Sequence, residues 1–330
     1  MTIDSCENDF IEDFKENVKN GNLNPTNVDL LSSKAQRKYN NYIDKIIRIN
    51  PCAYKTTSFE SIGKEEIFNL AGYIILFIFG DDILPELEQF LIKLKYSGST
   101  EVLDGVALTA TNRITKEEDH FAVVPDLVTS SNIVTIVHEF VHYHLKQINA
   151  DFNKKRYYEE ILSIFAEKIA LYVLANLRHE DNFAQKIEET RLDCIKWHYT
   201  TKVEEFKLLL QTYEQCKSIQ HSASRNFITE QIIVKMESEF PYLKTPEDLK
   251  IYKQYSINMS DSYGIGYLYS ESLLVNFFDA SILVMNKIRE IFKKEITLQE
   301  ALDYFDINAK NPQVYENADK RLELISKIKL

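Results

Sequence analysis

Glycine and proline are scarce in this chain of 330 residues. It holds 8 Gly and 7 Pro, half or less of the usual share of about 7% and 5%. So few turn formers favour long helices and disfavour sandwiches, propellers and Gly-rich nucleotide folds. A basic excess is also missing. Lys plus Arg is 39 against 50 for Asp plus Glu, a net charge of −11, which makes nucleic acid and anionic membrane poor partners. The four cysteines, Cys6, Cys52, Cys194 and Cys216, form no C-x-x-C pair. Free thiols in a reducing compartment are a simpler reading than a disulfide scaffold. The start, MTIDSCENDFIEDFKENV, is acidic and lacks an apolar signal core. A cytoplasmic location is therefore expected, with export by a non-Sec route left open. The most apolar run, LAGYIILFIF over 70–79, falls well short of the about 20 residues that span a bilayer, and it reads as a buried helix.

What is present is mostly helical patterning. Hydrophobic residues are 45% and charged residues 27%, a globular composition. No internal repeat or low-complexity segment occurs. Residues 1–50 read as two helices broken at GNLNPT (21–26) and stopped by Pro51, and two more are expected over 58–79 and 82–96. The stretches EVLDGVALTATNR (101–113) and FAVV (121–124), separated by the polar TKEEDH (115–120), predict a β-hairpin. Thr129, Ser130, Ser131 and Asn132 then offer N-cap side chains to a helix over 131–148. A further helix is expected over 154–177, and helices continue after Asn182 apart from loops near 241–248 and 308–312. The fold class is thus mainly α with a small β-sheet (α+β).

The chemistry lies in His138-Glu139-Phe140-Val141-His142, an H-E-x-x-H sequence. Positions i and i+4 share a helix face, so both imidazoles can meet one tetrahedral Zn²⁺. Glu139, beside the first ligand, can reach a water at the zinc and act as general base. A catalytic zinc takes a third protein ligand and keeps one position open. On the following helix Glu160, Ser163, Glu167 and Leu171 fall on one stripe flanked by Ile164 and Leu174, so the stripe points inward. Buried carboxylates require a compensating positive charge. Glu160 is accordingly the expected third ligand, and Glu167 the acceptor for a ligand histidine's free N–H. Glu159 reads as a solvated residue at the helix start. In zinc peptidases of this type an edge strand beside the active helix pairs with extended substrate, and Phe121, Ala122, Val123 and Val124 are the candidate strand. His144 falls off the ligand face and is expected to be exposed. His120, in the hairpin turn, is a weaker candidate for substrate contact. His179, His198 and His221 sit singly in polar helical surroundings, where surface roles are expected.

HEFVH followed by Glu160-x-x-Ser163-x-x-x-Glu167 resembles the gluzincin metallopeptidases, in particular the thimet oligopeptidase and oligoendopeptidase family. Gly266-Tyr267-Leu268-Tyr269-Ser270-Glu271 is similar to that family's GYxWSE-type segment. The resemblance covers about 100–285 and is strong at these three motifs. It implies a zincin-like catalytic core. It also implies that Tyr267 donates to the oxyanion formed at the scissile carbonyl, with Tyr263, one turn earlier, on the same face. The chain departs from the family in having Val141 where glycine is usual, Tyr255 in the register of the upstream histidine, and a shorter spacer between His142 and Glu160.

Together these readings give an expected zinc-dependent endopeptidase acting on peptides or flexible segments, with one Zn²⁺ per chain. Two alternatives stay open: a dedicated processing or effector protease for one protein, and a non-catalytic zinc-containing binding protein. Three segments are expected: an N-terminal helical lobe over 1–98, the catalytic core over 99–180, and a C-terminal helical lobe over 181–330 carrying Tyr263 and Tyr267.

Overall fold

The computed structural model describes residues 33–48, 61–96, 106–111, 118–126, 129–147, 157–178 and 246–327, with single positions at 187, 192 and 215. The elements are α1 (Ser33–Arg48), α2 (Lys64–Phe79), a 3₁₀ turn (Asp81–Ile83), α3 (Leu84–Lys93), β1 (Leu94–Tyr96), β2 (Val106–Thr111), β3 (Glu118–Val124), α4 (Ser131–Gln147), α5 (Tyr157–Arg178), α6 (Pro246–Phe292), α7 (Leu298–Tyr304) and α8 (Pro312–Lys327). Mainly helical architecture with one small sheet is what the low turn content predicts. The chain divides into two compact units, residues 1–30 with 195–261, and residues 31–194 with 262–330. These bounds differ from the linear segments 1–98, 99–180 and 181–330. In the first unit only Gln215 and residues 246–261 are described, all helical.

The sheet has the order β1-β3-β2. β1 runs parallel to β3, with Leu94, Lys95 and Tyr96 opposite Ala122, Val123 and Val124. β2 runs antiparallel to β3, from Val106 opposite Val123 to Thr111 opposite Glu118. This corrects the expectation that Phe121, Ala122, Val123 and Val124 form an edge strand for substrate. β3 is the central strand, and Ala122 and Val123 are paired on both sides. Their backbone groups are committed to the ladder, so no extended peptide can add there. The cause is Leu94-Lys95-Tyr96, read from the sequence as the tail of a helix over 82–96. In the structure that helix stops at Lys93, and three residues turn extended. His120 lies within β3 opposite Thr109 rather than in a turn.

α4 is the centre of the second unit. Its residues from Ser131 to Leu145 are buried all round, the pattern of a helix enclosed by other elements rather than one lying on a surface. α2, α3, α5 and the sheet all contact it. The 70–79 run does form a buried helix: Ile67, Ile74, Ile75 and Ile78 of α2 are fully enclosed. Each such side chain contributes about 1.5–3 kcal/mol by leaving water. Phe90 of α3 meets Phe140 edge-on at 5.3 Å and Tyr143 at 5.1 Å, seating α3 on the outer face of α4. The start of α4 follows the sequence reading. Asn132 Oδ1 accepts from the Thr129 backbone N–H at 3.0 Å, and the Asn132 N–H donates to the Thr129 carbonyl at 3.1 Å.

α6 carries a break at Ala280, whose φ of −149° and ψ of 61° are not helical. Beyond it, Arg289 donates to the carbonyls of Phe77 at 3.0 Å and Ile78 at 3.3 Å. It thereby satisfies the end of α2, where Gly80 turns the chain at φ +90°. The stretch Ser262–Phe292 is long and apolar enough to cross a bilayer by length and composition, yet 56% of its most apolar window is buried inside the protein. Residues 1–32 and 49–60, all four cysteines, and His179, His198 and His221 lie outside the described residues.

Candidate metal centre

His138 and His142, one turn apart on α4, bring their Nε2 atoms to 2.9 Å. Glu160, in the first turns of α5, faces both. Its Oε1 is 3.6 Å from His142 Nε2 and its Oε2 is 3.8 Å from His138 Nε2. Ligand atoms bound at about 2.0–2.1 Å in a tetrahedron stand roughly 3.3–3.4 Å apart. The three separations bracket that edge, so two imidazoles and one carboxylate fit a single tetrahedral ion. All three side chains are buried, and they are the one group of three or more His, Cys, Asp or Glu among the described residues that could hold a metal ion.

The surroundings orient these groups. Glu167, two turns beyond Glu160, brings Oε1 to 2.6 Å from His138 Nδ1. A proton on Nδ1 shared with this carboxylate would leave the Nε2 lone pair facing the ion site, the tautomer a metal ligand needs. The Ser163 hydroxyl donates to the Glu160 carbonyl at 3.3 Å and lies 3.5 Å from Oε2, bracing the ligand carboxylate from within its own helix. Glu139 Oε1 is 4.0 Å from His138 Nε2. That distance places a carboxylate beside the ion position without making it a ligand. Glu139, Glu160 and Glu167 are 3%, 7% and 2% exposed. Three carboxylates enclosed this far carry a large desolvation cost, which a divalent cation at the histidines would offset.

Gly266 explains how α6 comes so near. A Cβ placed there would lie 2.8 Å from Glu160 Cβ and 3.0 Å from both the Glu160 carbonyl carbon and Ile164 Cδ1. Only glycine permits this approach, and it sets the GYLYSE segment directly on the ligand's backbone. Tyr267 is 1% exposed, with Lys168 Nζ 4.1 Å from its ring centroid. Burial does not separate it from the site, because the ligands are nearly as enclosed. Tyr263 is partly exposed.

His144 corrects an expectation of exposure. It is 4% exposed, with its ring 4.8 Å from Phe292 at 9° and 6.1 Å from Phe140 at 19°. Burial pushes its pKa down to about 4, so it stays neutral. It belongs to the aromatic packing of α4 rather than to the ion site. The side chain of Glu159 lies outside the described residues. The sequence reading missed Lys168. It is 4% exposed, and Nζ donates to Glu271 Oε1. A lysine beside Glu167 in the largely apolar IFAEKIALY run was the available signal, since a lysine enclosed there needs a partner.

No family model matches the chain, and no curated protein matches it. A solved structure from Chlamydophila abortus described as a "putative peptidase" is similar at 13% identity and a TM-score of 0.44, covering 99% of this chain and 55% of that one. This chain thus spans about half the length of that protein. A likeness so slight bears on neither fold nor chemistry, which rest on the geometry above.

Proposed function

We propose that the protein is a zinc-dependent endopeptidase of the gluzincin kind, with His138, His142 and Glu160 as the zinc ligands. The observation that carries this reading is the buried His-His-Glu group with a second carboxylate, Glu139, 4.0 Å from a histidine nitrogen of that group. A purely structural zinc site has no use for that extra carboxylate, and structural sites are usually closed by four protein ligands. Zinc held there supplies Lewis acidity toward a carbonyl and lowers the pKa of water. Glu139 is the general base: it takes a proton from the attacking water and later gives it to the leaving amine. Glu167 keeps His138 in the ligating tautomer. Tyr267, with Tyr263 one turn earlier, donates an O–H toward the oxygen on which negative charge grows, a role that rests on the GYLYSE resemblance. The substrate class is peptides or flexible protein segments.

The experiment is digestion of a diverse peptide mixture by the parental protein, by chelated protein, and by chelated protein resupplied with zinc. Cleavage that a chelator stops and zinc restores supports the reading. Failure of the zinc-loaded protein to cut any peptide would leave a zinc-containing binding protein in its place.

A further inference from the structure

Outside the ion site, the described residue with the most unusual setting is Lys168. It directly follows Glu167, the partner of His138, and projects to the next face of α5. There two residues of α6, four apart, hold it: the Tyr267 ring lies 4.1 Å from Nζ, and the Glu271 carboxylate accepts its hydrogen bond. Both members of the ion pair are 3% exposed at the side chain. About two turns earlier on α5, Gly266 of α6 presses on the backbone of Glu160. Further contacts join the two helices, Phe165 with Phe277 at 6.3 Å and Tyr172 with Phe278 at 5.3 Å between ring centroids. Sliding one helix past the other would disturb the Gly266 seat and the Lys168 pair together.

We propose that Lys168 and Glu271 are positioning residues of the metal centre, which lock the axial register of α5 on α6 so that Glu160 stands in ligating range of His138 and His142. The role presupposes the zinc reading of those three residues. The chemistry favours register over stability as the purpose of the pair. A buried ion pair is weak evidence for stability, because apolar residues of similar volume can often replace it with little loss, whereas register setting is the best-attested use of such pairs. Apolar replacements would fill the same space along any register, while the Lys168 ammonium meets the Glu271 carboxylate in one register. The same lysine fixes the Tyr267 ring, so the ligand glutamate and the proposed oxyanion donor are held by one contact.

The test measures zinc affinity by competition with a chromophoric chelator, the Co²⁺ absorption spectrum, and the melting temperature of the metal-free protein. The variants are Lys168→Met/Glu271→Leu, Gly266→Ala and His138→Ala. Lys168→Met/Glu271→Leu should keep a melting temperature near parental yet bind zinc about 10–100-fold more weakly, the range seen when outer partners of metal ligands are lost. Its Co²⁺ bands should shift as Glu160 moves. Gly266→Ala, which displaces Glu160 directly, should weaken zinc in the same range and shows the size of the effect; if the double variant does not fold, Glu271→Gln, which keeps the side chain's size and removes its charge, decides the matter by the same readouts. Parental zinc affinity and Co²⁺ bands in the folded variants would overturn the positioning role. In that case His138→Ala still shows whether the metal centre is real, since it should abolish zinc binding. If the parental protein itself takes up no zinc, both the positioning role and the metal centre fall.

Discussion

α5 contributes to two buried charged groups on neighbouring faces, and each meets the cost of enclosed charge differently. On one face Lys168 and Glu271 form a pair complete within the folded chain. On the other, Glu160 and Glu167 turn toward two histidines, and Glu139 stands beside them. The first cluster needs nothing from outside. The second gathers carboxylates around two imidazoles, an arrangement suited to a cation taken from solution. One cluster should therefore respond to zinc and the other should not. This contrast separates a centre built to bind from a pair built to hold.

The largest expected effect is on the ligands. Glu160→Gln and His142→Ala should lower zinc affinity by more than the about 10–100-fold typical of outer partners, while Glu159→Gln should leave it near parental. Competition with a chelator measures all three, and a greater loss from Glu159→Gln would mean that the wrong carboxylate was assigned. Next comes Glu139→Gln, which should retain zinc and lower kcat by about 10²–10⁴-fold, the usual contribution of a general acid–base group. Near-parental cleavage by a zinc-loaded Glu139→Gln protein would remove the proton-handling role.

Tyr267→Phe keeps the ring over Lys168 and removes one hydroxyl. It should lower kcat by about 10²–10³-fold with little change in KM, the signature of a donor acting in the transition state. A core tyrosine without that role would instead show a lower melting temperature with kcat kept. Tyr263→Phe, measured alongside, shows whether the two hydroxyls share the task. The smallest effect is on stability. Zinc at 100 times its Kd should stabilise the parental protein by about 2.7 kcal/mol. That gain should vanish in His138→Ala and persist in Tyr267→Phe, as differential scanning calorimetry would show.

Much of this was legible in the sequence because it follows short-range rules. Thr129 and Asn132 announce the start of α4, and the i, i+4 spacing puts His138 and His142 on one face. The inward stripe of Glu160, Ser163 and Glu167 appears on α5, where all three are buried. What the sequence hid depends on contacts between distant segments. Leu94, Lys95 and Tyr96 are too few to show alternation, so β1 reads as helix, and its pairing with β3 is what places Ala122 and Val123 inside the sheet. His144 reads as polar and is enclosed because Phe292, far along the chain, stacks on it. Lys168 and Glu271 lie 103 positions apart, and neither residue alone names the other. Gly266 shows its purpose only when the backbone of Glu160 is seen against it.

The central claim is that His138, His142 and Glu160 hold one zinc ion, and elemental analysis with zinc uptake tests it most directly. Protein purified without added metal, then titrated with Zn²⁺ and desalted, should retain about one equivalent per chain, with its ligands arranged tetrahedrally. Glu160→Gln should retain much less under the same wash. Retention below about a tenth of an equivalent by the folded parental protein, with no uptake on adding zinc, would contradict the metal centre and the peptidase reading built on it.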